Sequence, residues 1–203
     1  MSRTVVHLLR HGEVCNPEGV LYGRLPGFRL SETGLRQAQR VAAHLSDHDV
    51  VYVASSSLLR AQQTAGLVAA RHDLHPVIDE GLIEAGNLFE GDRVSVGGGA
   101  LRNPRNWPML RNPFRPSWGE PYQEIAGRMI SAVHRARTLA EGHEAVCVSH
   151  QLPICSVVRY LAGKRLWHDP RRRRCSLASL TSLVFAGGEL VEMVYSQPAL
   201  ITT

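Results

Sequence analysis

Two short runs in this chain are apolar without alternation: VVHLL at 5 to 9 and AVCVS at 145 to 149. A strand with one face in water alternates apolar and polar residues, whereas a strand covered on both faces need not. Strands of the second kind belong to parallel sheets with helices packed on each side. VVYVASS at 50 to 56 reads as another. The intervening segments supply the helices. In LSETGLRQAQRVAAHL, residues 30 to 45, Leu35, Ala38, Ala42 and Leu45 recur at helical spacing. SLLRAQQTAGLVAARH starts a second helix directly after the strand at 50 to 56, with serines available as N-caps. YQEIAGRMISAVHRARTLAEG lines Ile125, Met129, Val133, Ala136 and Leu139 along one face, and QLPICSVVRYLAG reads as an apolar helix.

PVIDEGL at 76 to 82 predicts a short strand, and SLTSLVF and ELVEMVY around Gly187-Gly188 predict a hairpin. The alternation predicts an α/β three-layer sandwich: a mostly parallel central sheet, helices on both faces, and an antiparallel edge. Residues 1–203 are enough for one domain with a full core. About 90 to 118 breaks the pattern, with a Gly97-Gly98-Gly99 run and prolines among arginines and tryptophans. Such a stretch reads as a long excursion over the surface, a candidate lid, because compact domains seldom carry loops of that length without use.

The polar residues of interest stand where the apolar strands end. The first strand leads into Arg10, His11 and Gly12, the second through Ser55 to Ser57 into Arg60, and the run at 145 to 149 into Ser149 and His150. Ligands of open α/β sheets bind beyond the carboxyl ends of the strands. If these strands are neighbours, two guanidiniums and two imidazoles share one pocket, beside helix N-termini that favour anions. That set suits a phosphate: arginine forks bind its oxygens, and an unprotonated imidazole nitrogen can attack phosphorus. The nucleophilic ring then needs its other nitrogen donating to a fixed acceptor. A leaving alkoxide needs a proton, for which a carboxylic acid of raised pKa is suited. Glu84, in LIEAG, is the best-placed candidate, with Glu80 and Glu90 as rivals nearby. His7, inside its strand, reads as a core histidine.

These residues give the chain a resemblance to the histidine phosphatase superfamily, also called the phosphoglycerate mutase-like family, over nearly its whole length. LLRHGE resembles the family's RHG motif, which implies His11 as nucleophile and Arg10 as phosphate ligand. SSSLLRAQQTA resembles its second motif and implies Arg60 in the phosphate pocket. LIEAGNLFEG resembles the acid-bearing segment and implies Glu84 as proton donor. VSHQLPI resembles the last motif and implies His150 as a second pocket histidine, with Gln151 beside it. The resemblance also implies Asn16 and Gly23 as substrate ligands, although Asn16 stands one residue early. An aspartate frequent in the next loop is absent from GRLPGFRLSETG, where Pro26 stands near its place.

The implied activity is a metal-independent phosphomonoester hydrolase working through a phosphohistidine, with no cofactor and no metal ligands. Family mutases carry a longer insertion between acid and final histidine. Only 65 residues separate Glu84 from His150 here, which resembles the phosphatase branch. A phosphoglycerate-type mutase is the alternative of the same family. An alternative of another class is a phosphate- or nucleic-acid-binding module, which the net charge of +5 allows. Yet Lys164 is the only lysine, and arginine's preference for bidentate contact fits a small anion equally well. The expected partner is a small phosphorylated substrate, with a second copy of the chain as a candidate, and neither membrane nor nucleic acid. The N-terminus lacks the long apolar region of a signal peptide, and the four cysteines show neither a CxxC pair nor zinc-ligand spacing. A cytoplasmic protein with reduced thiols is expected.

Overall fold

The computed structural model describes residues 2–92 and 119–200. In chain order the elements are β1 (Arg3–Arg10), α1 (Glu32–His44), β2 (Val50–Ser55), α2 (Leu59–Ala69), β3 (Val77–Ile78), α3 (Tyr122–Leu139), β4 (Glu144–Ser149), α4 (Gln151–Leu161), β5 (Leu180–Ala186) and β6 (Glu189–Ser196). Short 3₁₀ turns cover Glu80–Leu82, Pro170–Arg172 and Pro198–Leu200. Most of the excursion expected at 90 to 118 lies outside the described residues. Its flanks are tied down. Leu21 N–H donates to the Asp92 carbonyl (2.9 Å), and Asn87 and Gly119 form an antiparallel bridge.

The six strands form one sheet in the order β3-β2-β4-β1-β5-β6. β3, β2, β4 and β1 run parallel, while β5 and β6 close one side antiparallel. The interiors of β1 and β4 are buried on both faces, whereas the edge strands β3 and β6 are largely exposed. Val6, Leu8, Ala145, Cys147 and Leu183 pack against Met129, Ala132, Val133 and Ala136 of α3 and Ile154 and Val157 of α4. Leu9, Val53, Val146 and Val148 pack against Val41, Ala42 and Leu45, and against Ala61, Ala65 and Val68 of α2. The uninterrupted apolar runs are thus explained: alternate residues feed two separate cores.

β4 in the middle brings the predicted strand ends together. Its pairing continues past the strands on each side, with His11 N–H donating to the Ser149 carbonyl (3.2 Å) and Ser56 N–H to the Val148 carbonyl (3.1 Å). The loop after Gly12 seats α1. Ser31 is the N-cap and accepts from Gly34 N–H (3.0 Å) while its hydroxyl donates to the Glu13 carboxylate (2.6 Å). Gly12 and Gly34 permit this closeness. A Cβ on Gly12 would lie 2.5 Å from the Gly34 carbonyl oxygen, and one on Gly34 would lie 2.0 Å from the Glu13 carbonyl oxygen.

The serines after β2 do not act as the predicted caps. Leu58 is the N-cap of α2 and gives no side-chain bond, so Ser56 is released for a different partner. No helix among the described residues is long and apolar enough to cross a membrane.

Two glycines test this packing in opposite directions. Gly34→Ala forces backbone apart and is expected to cost about 1–3 kcal/mol. Gly66 lies inside α2, and a methyl there meets nothing within 4 Å among the described residues. Gly66→Ala is expected to add about 0.5–1 kcal/mol through the unfolded chain and helix propensity. Thermal unfolding of both variants checks the pair, since about 1 kcal/mol moves Tm by roughly 2–4 °C in a chain of this size.

Candidate active site

A cavity of about 670 Å³ opens at the carboxyl edge of the parallel strands. Arg10, His11, Asn16, Gly23, Glu84 and Gln151 all line it. Arg60 and His150 lie directly beneath, 1% and 0% exposed. The structure therefore brings together every site residue expected from the sequence.

His11 follows the last residue of β1 and is 2% exposed. Its Nδ1 lies 2.7 Å from the Gly12 carbonyl oxygen. A carbonyl only accepts, so Nδ1 carries the proton and Nε2 presents a lone pair. Arg60 Nε–H donates toward that nitrogen at 3.3 Å. Burial first, then the Arg60 charge, holds the His11 pKa well below the ordinary imidazole value, against the opposing pull of the Gly12 carbonyl. The nitrogen is kept unprotonated by its surroundings.

Arg60 sits in the first turn of α2. Its guanidinium donates to the Gly23 carbonyl (2.7 Å) and toward His150 Nδ1 (3.3 Å), and lies 4.8 Å from the Tyr22 ring centroid. Since a guanidinium cannot accept, His150 Nδ1 accepts, and its Nε2–H donates to Ser56 Oγ at 2.7 Å. This is where the released serine goes. The two imidazoles have ring centroids 5.0 Å apart. Burial, followed by His11 and Arg60, keeps His150 well below its ordinary pKa too.

Arg10 Nη1 donates to the Cys175 carbonyl (2.7 Å), which fixes the fork at the pocket wall. Its buried Nε finds no hydrogen-bond partner among the described residues.

Of the three candidate acids, Glu84 lines the cavity. Its Oε1 accepts from the Ala85 N–H (2.8 Å). Burial raises its pKa above the ordinary carboxylate value, opposed by that N–H and by Arg60 and Arg10. The rivals are occupied elsewhere: Glu80 accepts from Ser57 Oγ (2.9 Å), and Glu90 from the Arg24 N–H (3.0 Å).

The remaining predicted ligands carry structural tasks. The Asn16 amide is bonded both ways to Val20, Nδ2 to its carbonyl (2.8 Å) and Oδ1 from its N–H (3.2 Å). Gly23 contributes the carbonyl that holds Arg60, on a backbone at φ +32°. Gln151 Nε2 donates to the Cys175 carbonyl (3.4 Å), the acceptor Arg10 also uses. Gly12 makes its close approach to the backbone of Gly34.

Sequence reasoning missed the supports of the segment that carries Glu84. Arg24 Nε donates to the Glu84 carbonyl (2.6 Å) and Arg128 Nη1 to the Ile83 carbonyl (2.6 Å), while Glu120 pairs with both guanidiniums. Their partners are distant backbone carbonyls, which leave no periodicity or motif to read. Of the Arg171–Arg174 run, Arg173 lines the cavity, held by His168 at 2.9 Å.

The chain is similar to known proteins over nearly its whole length. The model of the histidine phosphatase superfamily (branch 1) matches residues 6–197. A Mycobacterium tuberculosis relative, "Uncharacterized protein Rv0525", is 62% identical over 98% of each chain. The Escherichia coli protein named "Probable phosphoglycerate mutase GpmB" is 28% identical over 92% of this chain and 90% of its own. Two solved structures share the fold. The mycobacterial glucosyl-3-phosphoglycerate phosphatase has a TM-score of 0.76 at 22% identity, covering 96% of this chain and 98% of its own. A phosphoserine phosphatase from Entamoeba histolytica has 0.77 at 22%, covering 98% and 100%. With the match running from within β1 to the end of β6 and taking in the whole pocket, the chain belongs to the histidine phosphatase superfamily, branch 1.

Proposed function

We propose that this protein is a phosphomonoester hydrolase that transfers the phosphoryl group of a small phosphorylated metabolite to His11 and then to water, without a metal ion. One observation carries the reading: His11 is locked by its Nδ1–H to the Gly12 carbonyl, so a buried, unprotonated Nε2 faces the cavity beside Arg60. Arg10 and Arg60 bind the phosphate oxygens, and the His150 ring supports the transferring group from below. Asn16, Gly23 and Gln151 shape the pocket around them. The charge a metal would otherwise supply comes from these guanidiniums and from the N-termini of α2 and α4.

Nε2 attacks phosphorus as the phosphorus–oxygen ester bond breaks, and the electron pair of that bond leaves with the alkoxide. Glu84 gives the alkoxide its proton. Glu84, now a carboxylate, removes a proton from water. The water oxygen attacks the phosphohistidine, and the phosphorus–nitrogen bond breaks with its electrons returning to the ring. Phosphate leaves with His11 and Glu84 restored. The short stretch between Glu84 and His150 favours hydrolysis over return of the phosphoryl group to the substrate. The four cysteines carry free thiols, in keeping with a cytoplasmic protein.

The test is phosphate release from a panel of phosphomonoesters in the presence of a chelator: an aryl phosphate, 3-phosphoglycerate, sugar phosphates and nucleotides. Wild type is expected to turn over at least one, and His11→Ala none above background. Near wild-type turnover by His11→Ala would reject the assignment of His11. Interconversion of phosphoglycerate isomers without phosphate release would make the protein a mutase.

The pH profile tests the acid. Burial raises the Glu84 pKa, so the group stays protonated where a free glutamate is ionised, and the rate on alkyl phosphates falls as pH rises through that raised value. The lowered His11 pKa keeps the nucleophile neutral to more acidic pH than a free imidazole, so the acid limb lies below the ordinary histidine range. Glu84→Gln is expected to lose the alkaline limb and to slow alkyl phosphates about 10²–10⁴-fold. Aryl phosphates, whose leaving groups need little protonation, should be slowed far less. Equal losses on both substrate types would assign the acid elsewhere.

A further inference from the structure

At the opposite end of the sheet from the phosphate pocket, three donor atoms from separate elements converge. They are His7 Nε2 from β1, His48 Nδ1 from the turn after α1, and Glu144 Oε2 from the first residue of β4. His7 Nε2 is 2.8 Å and His48 Nδ1 2.7 Å from that single carboxylate oxygen. All three atoms lie within 4.8 Å of one another. We propose that His7, His48 and Glu144 form a structural zinc site, independent of the phosphoryl-transfer chemistry.

The donor set and its surroundings argue for a borderline-soft metal. Two imidazoles and a carboxylate are ligands zinc accepts at about 2.0–2.2 Å, whereas magnesium and calcium favour oxygen-only shells. Tetrahedral coordination at those lengths spaces ligand atoms about 3.3 Å apart. The imidazole nitrogens, now hydrogen-bonded to Oε2, would need to part from it by only about half an ångström. His7 already has the outer partner that a ligating histidine uses, since its Nδ1 lies 2.8 Å from Ser182 Oγ. When zinc takes Nε2, the neutral ring keeps its proton on Nδ1 and donates it to Ser182. The carboxylate offsets one of the two metal charges.

A fourth position is supplied by water or by His44, whose ring centroid is 5.7 Å from that of His48. The entry path is open, because the His48 side chain is 34% exposed while that of His7 is 6% exposed. His7 precedes Arg10 by three residues on the same strand, roughly 10 Å at strand rise. The site therefore ties the α1–β2 connection to β1 and β4 and touches nothing in the pocket. Its expected effect is on stability, not turnover.

The experiment uses the full chain, freed of metal with a chelator and titrated with zinc chloride by calorimetry, with Tm followed in parallel. The proposal expects one zinc per chain and a Tm rise of roughly 5–10 °C at a zinc concentration 100 times Kd. His48→Ala, at a part-exposed turn, is expected to fold and to lose at least tenfold in zinc affinity with turnover unchanged. Glu144→Gln keeps the shape and the hydrogen bonds but not the anionic ligand, and should show the same loss of affinity. His11→Ala should bind zinc as the wild type does, which separates this site from the two pocket histidines. The absence of zinc binding by the wild type would overturn the proposal. So would wild-type affinity in His48→Ala, or binding lost in His11→Ala instead.

Discussion

The pocket is organised by a cation taken out of water. Arg60 is 1% exposed, and its polar contacts are the Gly23 carbonyl and two imidazole nitrogens. Among the described residues it forms no ion pair with a carboxylate. Burying a guanidinium this way is costly, and the desolvation shows in its lowered pKa. Burial, with this cation adding to it, keeps both histidines neutral, while the Gly12 carbonyl and the Ser56 hydroxyl help fix which nitrogen each ring presents. The proposed substrate supplies the missing counter-charge: a phosphate would accept from Arg60 and Arg10 while meeting the lone pair of His11. On this account the buried Arg60 contributes at once to substrate binding, to the protonation state of His11 and to pocket geometry.

That arrangement depends on backbone as much as on side chains. β4 accepts the continuing hydrogen bonds of the segments after β1 and β2, so His11 and Ser56 reach the same edge as His150. The Gly12–Gly34 contact then seats α1 against the loop after His11 with no room for a Cβ on either residue. Glu84 is held by its own carbonyl and that of Ile83, through Arg24 and Arg128, which leaves its carboxyl group facing the cavity. A carboxyl group held through its backbone, as the proposed mechanism requires of Glu84, can change protonation without losing its place.

Much of this was legible in the sequence, for a physical reason. VVHLL and AVCVS read as doubly covered strands because alternate residues enter two cores, and Arg10, His11 and His150 stand out as polar groups at the ends of such strands. Arg60 was legible by its place in the first turn of the following helix. Strand order was not, because nothing local dictates that β4 lies between β1 and β2. The bonds of Asn16 to Val20, of Ser56 to His150 and of Arg24 to the Glu84 carbonyl escaped for a related reason. Each is a choice among equivalent polar partners that only tertiary placement makes. His7 read as a core histidine and is indeed buried, yet its partners are 41 and 137 residues away in sequence, at His48 and Glu144.

The central claim is that the phosphoryl group passes through Nε2 of His11. Its most direct test is to quench the enzyme in alkali during turnover of an aryl phosphate and locate the phosphoryl group by phosphorus NMR and peptide mapping. The account predicts a single acid-labile, alkali-stable phosphoryl group on Nε2 of His11, discharged to free phosphate when substrate is exhausted. Turnover with no phosphoenzyme, or with the phosphoryl group on any other residue, would contradict it.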